Sequence, residues 1–372
     1  MSISSGFVAA GFEPVREAFE RNFEENLEFG AGFAVWAGDE LVVDLHGGVM
    51  DRRRERAWTE TTICPVFSTT KPVAALVIAM LRERGLIDYE RPVADYWPKF
   101  GQAGKSEITV GEALSHQAGL PGFPEAIDPG MWLDPPALAA RLAELPPMWG
   151  RGEGSGYHPL TWGYIAGELC RRVAGRSLGT VLREDICGPL DIDFMIGTPP
   201  SKADLCAQMI KPKTPTTFAH ANAETRAAFQ TPWSAPNRSA AEWRQVEIPS
   251  ANGHGTAAGL ARLYSVYALK GRIGETRLFS EAVWNELTRA RVTGEDRVLP
   301  GVVSFGAGVM RNPVPLYGPG PETLCHSGWG GSGALGDPVA GVSAAYIMNM
   351  QGSHLLEDAR RSRLIEALYA CL

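Results

Sequence analysis

A helix with apolar side chains on nearly every side is the feature that most constrains how this chain can fold. Residues 69–85 read TTKPVAALVIAMLRERG, in which apolar residues run with little interruption to a terminating glycine. Such a helix has to be buried, and it needs other layers of structure on more than one side. The chain has 372 residues, enough for a large core in two domains or one elaborate domain. We therefore expect residues 69–85 to form a buried helix between two parts of the fold.

The two ends of the chain predict a sheet and its covering helices. Residues 13–29 carry apolar side chains at intervals of four, as an amphipathic helix does. Next, GFAVWAGDELVVDLHGG contains two apolar runs around Gly38-Asp39, which predicts a hairpin. Near the C-terminus, VVSFGAGVM, ETLCHSGWGG and VSAAYIMNM are typical of strands, and LLEDARRSRLIEALYACL is typical of a final helix.

The middle of the chain has a different pattern, with helices and long loops rich in proline and glycine. We therefore expect an α+β fold (an α/β sandwich) in which both ends of the chain build a single antiparallel sheet. Residues 1–92 and 298–372 would form this domain, with N- and C-terminal helices flanking the sheet. Residues 93–297 would form an inserted, mostly helical domain. The apolar helix would then begin at the junction, where pockets tend to form.

Charge and composition exclude several classes of partner. The chain has 35 basic and 42 acidic residues, a net charge of −7, without long runs of like charge. We therefore expect no binding to nucleic acid or to anionic membrane surfaces. The sequence contains no apolar run of transmembrane length, and its first residues do not resemble a signal peptide. Six cysteines without paired spacing indicate reduced thiols in a cytoplasmic protein; they are Cys64, Cys170, Cys187, Cys206, Cys325 and Cys371.

Ser68 and Lys71 stand three residues apart at the start of the apolar helix, and two interpretations compete. In the first, Ser68 caps the helix and Lys71 points into solvent. In the second, Ser68 is a nucleophile and Lys71 accepts its proton, because residues three apart share one face of a helix. A lysine in the first turn of a buried helix is not obviously solvated, which weakens the first interpretation.

Two other motifs match catalytic or nucleotide-binding patterns but have the wrong context. Residues 175–179, GRSLG, match a nucleophile elbow, which requires a preceding strand. The preceding residues look helical, so Gly175 is expected to end a helix and Ser177 to start the next one. Residues 328–333, GWGGSG, match a dinucleotide motif, but a turn and a strand follow where a helix is needed.

The histidines show no metal-binding spacing. His116, His254 and His326 are each isolated in the sequence, and a lone histidine is more often a structural residue than a ligand. We expect neither a metal nor a cofactor.

Three pieces become informative when they are read in order: Ser68-x-x-Lys71, then Tyr157 after a glycine-rich loop, then His326-Ser327-Gly328 on a C-terminal strand. Together they resemble the serine β-lactamase and penicillin-binding protein family, in particular the class C branch and its family VIII carboxylesterase relatives. The segments ALSHQAGLPGF, GHGTAAGLARLYS and HSGWGG also resemble stretches of that family. The resemblance covers roughly residues 13 to 350.

This resemblance implies a carboxylesterase that cleaves small acyl esters through an acyl-enzyme on Ser68. Lys71 and Tyr157 would transfer protons as a coupled pair. The Ser68 backbone N–H would form half of an oxyanion hole at the helix N-terminus. The other donor would be Trp329 if His326-Ser327-Gly328 occupies the family's Lys-Thr-Gly position, which we favour, or Ser332 if Trp329-Gly330-Gly331 does.

The sequence departs from the family at two positions that concern substrate. Tyr-x-Asn is replaced by Tyr157-His158-Pro159, and the lysine of Lys-Thr-Gly by His326 or Trp329. We therefore expect esters to be preferred to β-lactams and peptides, with Trp149, Trp162 and Trp329 as possible apolar walls or core residues. The alternatives are a β-lactamase or D-alanyl-D-alanine carboxypeptidase, or a non-catalytic relative that only binds a ligand.

Overall fold

The computed structural model describes residues 3–372. Its largest element is a nine-stranded sheet in the order β1-β3-β2-β14-β13-β12-β11-β10-β9, and every neighbouring pair is antiparallel. The strands of this sheet are β1 (Ser4–Val8), β2 (Gly30–Ala37), β3 (Glu40–Gly48), β9 (Val292–Glu295), β10 (Val302–Phe305), β11 (Met310–Arg311), β12 (Leu324–Ser327), β13 (Gly333–Asp337) and β14 (Val342–Met348). Strands from both ends of the chain build one antiparallel sheet, which confirms the expected α+β fold.

Shorter strands and the helices complete the fold. The small sheets contain β4 (Cys64–Pro65), β5 (Phe194–Ile196), β6 (Gly253–Gly255), β7 (Arg272–Ile273) and β8 (Thr276–Arg277). The helices are α1 (Glu13–Glu24), α2 (Thr70–Glu83), α3 (Val93–Tyr96), α4 (Val110–Leu114), α5 (Pro135–Glu144), α6 (Thr161–Ala174), α7 (Leu178–Leu182), α8 (Ala223–Thr225), α9 (Ala240–Gln245), α10 (Ala257–Ala268), α11 (Glu281–Thr288) and α12 (Ala359–Ala370). Within residues 3–372, no helix is long and apolar enough to cross a bilayer. All six cysteines are free.

The two faces of the large sheet carry different helices. The chain-terminal helices α1 and α12 pack against each other, and their side chains share a core with large residues of one face, such as Phe33 and Tyr346. The other face presents smaller residues, such as Ala34 and Ala345, to α10 and the core around α2. Successive residues of a strand point to opposite faces, so this alternation places one face in each of the two cores. The small residues allow α10 to approach the sheet closely.

The apolar helix α2 is buried along its length, as expected. Every residue from Thr70 to Leu81 is buried, and the helix contacts α6, α7, α10 and α11. Gly85, whose φ of +70° favours glycine, ends this segment where the pattern predicted. The first turn of α2 is therefore held in a region without bulk solvent.

Three features differ from the sequence-based expectation. The first helix ends at Glu24 rather than near residue 29, because the chain turns back through Asn26, at φ +58°, to enter β2. The final helix is α12, shorter than the predicted stretch and capped by Asp358. β1 was not predicted, since SSGFV has no clear alternation; its pairing with β3 holds it in the sheet.

Two elements of the 93–297 segment lie with the sheet rather than apart from it. β9 forms an edge of the large sheet, and α10 packs on β2, β13 and β14. Among the other helices of the segment, α6, α7 and α11 contact α2. The division into 1–92 with 298–372 and 93–297 stays a prediction.

Candidate active site

Ser68 lies in a tight turn immediately before α2. This 3₁₀ turn spans Phe67–Thr69, and Thr69 precedes the first residue of the helix without a side-chain capping bond. Phe67 has a φ of +47°, a conformation that costs energy and is uncommon for a bulky residue. Ser68 is therefore not the helix cap, and its partly exposed side chain opens to a cavity.

The Lys71 side chain is fully buried and points at Ser68. Its Nζ lies 3.3 Å from Ser68 Oγ and 2.8 Å from the Tyr157 hydroxyl. It also donates to the backbone carbonyls of Pro159, at 2.8 Å, and Ser250, at 3.2 Å. The solvent-exposed interpretation of Lys71 is therefore wrong. Burial holds the pKa of Lys71 well below its ordinary value, since desolvation disfavours the charged amine.

The two carbonyls that hold Lys71 had no signal in the sequence. Pro159 occupies the position where the family carries asparagine, and proline has neither a side-chain amide nor a backbone N–H. In the structure its backbone carbonyl faces Lys71 directly. A backbone oxygen is available from any residue type, so the substitution leaves a hydrogen-bond acceptor for the lysine in place.

Tyr157 completes the cluster and is held by a buried carboxylate. Tyr157 and Ser68 line the same small cavity, and burial raises the pKa of the Tyr157 phenol. The Tyr157 backbone N–H donates to Asp296 Oδ1 at 2.9 Å, while the Ser155 hydroxyl donates to Oδ2 at 2.8 Å. The same Oδ1 accepts the N–H groups of residues 298 and 299. Asp296, which sequence reasoning missed, thus ties the loop of Tyr157 to the chain that leads into β10.

Two histidines pack beside Tyr157 as neutral structural residues. The His116 ring lies 4.7 Å from the Tyr157 ring, and its Nδ1 accepts the His158 backbone N–H at 3.1 Å. The His158 side chain accepts from the Leu120 N–H and donates to the Gly156 carbonyl. Burial lowers the pKa of His158 to about 3 and that of His116 well below its ordinary value. Both rings are uncharged supports for the tyrosine loop.

The C-terminal strand approaches the nucleophile turn at Gly328. A Cβ at this position would lie 2.3 Å from the Val66 carbonyl and 2.1 Å from Ser332 Oγ, so only glycine fits. The Gly328 N–H donates to the Ser332 carbonyl at 2.7 Å, and the Ser332 hydroxyl donates to the Val66 carbonyl at 2.8 Å. This arrangement fixes the loop after β12 against the turn that carries Ser68.

Trp329 and Ser332 differ in their access to Ser68. Trp329 is half-buried and lines the same cavities as Ser68. Ser332 is fully buried, and its hydroxyl and carbonyl are both engaged in the loop. Trp329, unlike Ser332, therefore lies where it can contact a molecule bound at Ser68.

His326 is neutral and presents an acceptor. Its Nδ1 lies 2.7 Å from the Ser327 carbonyl, which can only accept, so Nδ1 carries the proton and Nε2 has a free lone pair. That buried Nε2 has no hydrogen-bond partner within residues 3–372. Burial lowers the pKa of His326 to about 3. The ring is therefore uncharged at neutral pH because of desolvation, not because its pKa is ordinary.

Two adjoining cavities open at Ser68. A small one of about 30 Å³ also contacts Tyr157, His326 and Trp329, and a larger one of about 830 Å³ extends past Phe67 and Trp329. The expected aromatic walls are only partly correct. Trp149 and Trp162 are buried in the core, with indole N–H groups bonded to backbone carbonyls. Trp243 also lines the larger cavity, although no sequence pattern indicated it as a wall residue.

The GRSLG motif, residues 175–179, has a structural role. Gly175 ends α6 in the left-handed conformation at φ +67°, and Ser177 caps α7 while donating to Glu247 Oε1 at 2.6 Å. Ser177 is thus part of a helix start, as predicted.

In the part of the chain that the structure describes, no three His, Cys, Asp or Glu side chains are grouped so that they could hold a metal ion.

Comparisons with known proteins show which sequences and folds this chain resembles. A family model described as Beta-lactamase matches residues 19–368. The chain is 36% identical over 353 residues to the Esterase/beta-lactamase LipL of Mycobacterium tuberculosis, an alignment that covers 91% of this chain and 81% of that protein.

Two solved structures have the same fold over almost their whole length. A penicillin-binding protein homologue from Caulobacter crescentus has a TM-score of 0.97 and 51% identity, covering 99% of this chain and 100% of that one. A family VIII carboxylesterase has a TM-score of 0.93 and 38% identity, with the same coverage of 99% and 100%. The chain therefore belongs to the Beta-lactamase family, as the order of its motifs predicted.

Proposed function

We propose that this protein is a serine hydrolase that cleaves small acyl esters through an acyl-enzyme on Ser68. The observation that carries the proposal is the position of Lys71 Nζ, which contacts both the Ser68 and the Tyr157 hydroxyl inside a buried site. A serine hydroxyl becomes a useful nucleophile only when a neighbouring group takes its proton. The relatives described as an esterase/beta-lactamase and a family VIII carboxylesterase support ester chemistry.

Acylation begins when Ser68 Oγ attacks the ester carbonyl carbon. The serine proton passes to the pair formed by Lys71 and Tyr157, and the position of that proton is a property of the pair. Negative charge develops on the carbonyl oxygen and is stabilised by the backbone N–H groups of Ser68 and Trp329. The carbon–oxygen bond to the alcohol then breaks, and Tyr157 returns the proton to the departing oxygen.

Deacylation repeats these steps with water. Water attacks the acyl carbon while its proton passes to the same pair, and the bond to Ser68 Oγ then breaks. The proton returns to the serine, and the carboxylic acid leaves. Desolvation suits Lys71 to this work, because burial lowers the pKa of the amine and so favours the neutral form, which can accept a proton.

Two observations favour esters over β-lactams. A β-lactam carries a carboxylate near its scissile amide, and at that end of the site His326 offers a lone pair instead of a cation. The carbonyl of Pro159 is engaged with Lys71 and cannot replace the amide N–H donor of an asparagine. Loss of a charge-assisted contact typically costs ~1.5–3 kcal/mol, or roughly ten- to a hundred-fold in affinity.

The substrate preference is tested by comparing kcat/KM for p-nitrophenyl butyrate and nitrocefin. We expect the ester to be turned over faster. The name of the mycobacterial relative includes beta-lactamase, so a β-lactamase remains the second candidate. Faster hydrolysis of nitrocefin would select it.

The nucleophile is tested with matched serine variants. Ser68→Ala should abolish ester hydrolysis, and a fluorophosphonate should label Ser68 in the intact wild-type protein, as read by mass spectrometry. Ser177→Ala is the control and should stay within a few-fold of wild type, since Ser177 caps α7 away from Lys71. Substantial turnover by Ser68→Ala would refute the assignment, and a wild-type protein that is neither labelled nor active would indicate a non-catalytic relative.

A further inference from the structure

The larger cavity beside Ser68 has a charge opposite to that of the whole protein. The chain carries a net charge of −7, yet the residues lining this cavity include four basic side chains and neither aspartate nor glutamate. The basic residues are Arg56, Lys211, Arg238 and Arg244. A cavity lined by charges of one sign raises the local concentration of ligands with the opposite sign.

Three of these cations form no ion pair within residues 3–372. Arg56 pairs with Asp51 at 3.5 Å, whereas Lys211, Arg238 and Arg244 have no carboxylate of the described residues within ion-pair distance. Hydrogen bonds from Ser239 and, to a smaller extent, the charge of Arg238 lower the pKa of the Glu242 carboxyl, so Arg238 has an acidic neighbour. Lys211, which is exposed, and Arg244, which is half-buried, are therefore the two cations most available to a ligand.

The part of the cavity near Ser68 is apolar. The Phe67 ring lies 6.0 Å from Trp243, and the Phe229 ring lies 5.8 Å from Trp329. All four rings line the cavity together with Met209. If an ester is bound at Ser68, an acyl chain that extends along these four rings contacts apolar surface. The basic side chains line the same cavity.

His254 contributes a buried polar atom without a hydrogen-bond partner to the lining of this cavity. The ring is fully buried and lines the cavity. Its Nδ1 is 2.8 Å from the Asn252 carbonyl, so Nδ1 is the donor and Nε2 is an acceptor, and Nε2 has no partner within the described residues. A lone pair does not bind a carboxylate, so an anion in this cavity belongs with Lys211 and Arg244 and not with His254.

We propose that the preferred substrates are esters with an apolar chain that carries a carboxylate remote from the scissile bond, and that Lys211 and Arg244 bind this carboxylate. The proposal rests on the esterase function proposed above and specifies its substrate class. It is compatible with poor recognition of β-lactams, because their carboxylate lies beside the scissile bond, at the His326 end of the site.

The test compares two esters of equal chain length. One is the mono-p-nitrophenyl ester of pimelic acid, which ends in a carboxylate, and the other is p-nitrophenyl heptanoate, which ends in a methyl group. At low salt we expect kcat/KM to be about two- to five-fold higher for the pimelate, the size of a partly exposed charge contact. In wild-type protein this preference should shrink towards one near 1 M salt, because ions screen exposed charges.

Variants of the basic residues test where the pimelate carboxylate binds. In Lys211→Gln/Arg244→Gln the pimelate-to-heptanoate ratio should fall to about one. Lys213→Gln is the matched control: Lys213 is exposed, lies two residues from Lys211 and is not part of the cavity lining, so the wild-type ratio should persist. An equal rate for both esters in wild-type protein, or an unchanged ratio in the double variant, would overturn the proposal. If heptanoate is cleaved without a preference, only the substrate class is wrong; if neither ester is cleaved, the proposed function also fails.

Discussion

Two lysines in this protein are completely buried, and their surroundings differ in one respect. Lys105, in the loop before α4, donates to three backbone carbonyls, those of residues 102, 143 and 145. Lys71 donates to two carbonyls as well, but its remaining partners are the hydroxyls of Ser68 and Tyr157. A carbonyl has no proton to exchange, whereas a hydroxyl can give up its proton.

Burial of a lysine is therefore insufficient as an indication of catalysis. Lys105 is a structural cross-link that satisfies carbonyls at the end of α5, since buried polar groups need partners. Lys71 also donates to backbone carbonyls, and these bonds hold its amine beside the hydroxyl groups of Ser68 and Tyr157 at the edge of a cavity. The chemistry of the neighbours, and not the burial itself, distinguishes the two sites.

The largest expected difference is in activity. Lys71→Met should lower kcat for p-nitrophenyl butyrate by ~10²–10⁴, the usual loss when a general acid–base group is removed. Lys105→Met should keep kcat within a few-fold of wild type, because Lys105 has no hydroxyl partner. Steady-state kinetics on both purified variants measures this. A folded Lys105→Met protein that loses as much activity as Lys71→Met would break the comparison.

The hydroxyl partners of Lys71 should act as one unit with it. Tyr157→Phe alone should also lower kcat by ~10² or more. Combining it with Lys71→Met should lower kcat little further, because either single change already disables the proton transfer that the two residues share. A double-mutant cycle on kcat measures the coupling. A double variant whose loss equals the product of the two single losses would argue against a shared proton network.

Lys105 should matter for stability even though it does not matter for activity. Lys105→Met leaves buried carbonyls without a donor, so its free energy of unfolding should fall by at least about 1–3 kcal/mol. Lys99→Met is the control; Lys99 is exposed, and its replacement should change stability by no more than about 0.5 kcal/mol. Denaturant titration of both variants gives the two values. Equal stability of the two variants would show that the Lys105 contacts contribute nothing.

The pH dependence should belong to the Lys71 site. The serine proton needs a neutral acceptor, and lowering the pH protonates it, so kcat/KM should fall on the acid side of its profile. The midpoint should lie well below 10.5, since burial lowers the pKa of Lys71 from that value. Lys105→Met should leave the profile unchanged. A rate that rises as the pH falls from 8 to about 5 would contradict the assignment of a basic acceptor.

Local patterns in the sequence were sufficient for the framework of this protein. The apolar run of α2 required burial, the Gly38-Asp39 turn between apolar runs predicted the hairpin, and the C-terminal runs predicted β10 to β12 and β14 in outline. β13 (Gly333–Asp337) was missed, because a turn was expected there. The spacing of Ser68 and Lys71 predicted that the two side chains share one face, and their contact confirms it. Each of these inferences concerns residues within a few positions of each other, where helix and strand periodicity carries the information.

Only the tertiary structure decided how the site is completed. The carbonyls of Pro159 and Ser250 reach Lys71 across 88 and 179 positions of sequence. Asp296 holds Tyr157 from 139 positions away. The tautomers of His254 and His326 depend on single carbonyls, and the cationic cavity is formed by segments on both sides of α8. Backbone oxygens are present at every residue, and charges scattered along a chain have no local pattern, so these contacts exist only after distant segments have packed around α2.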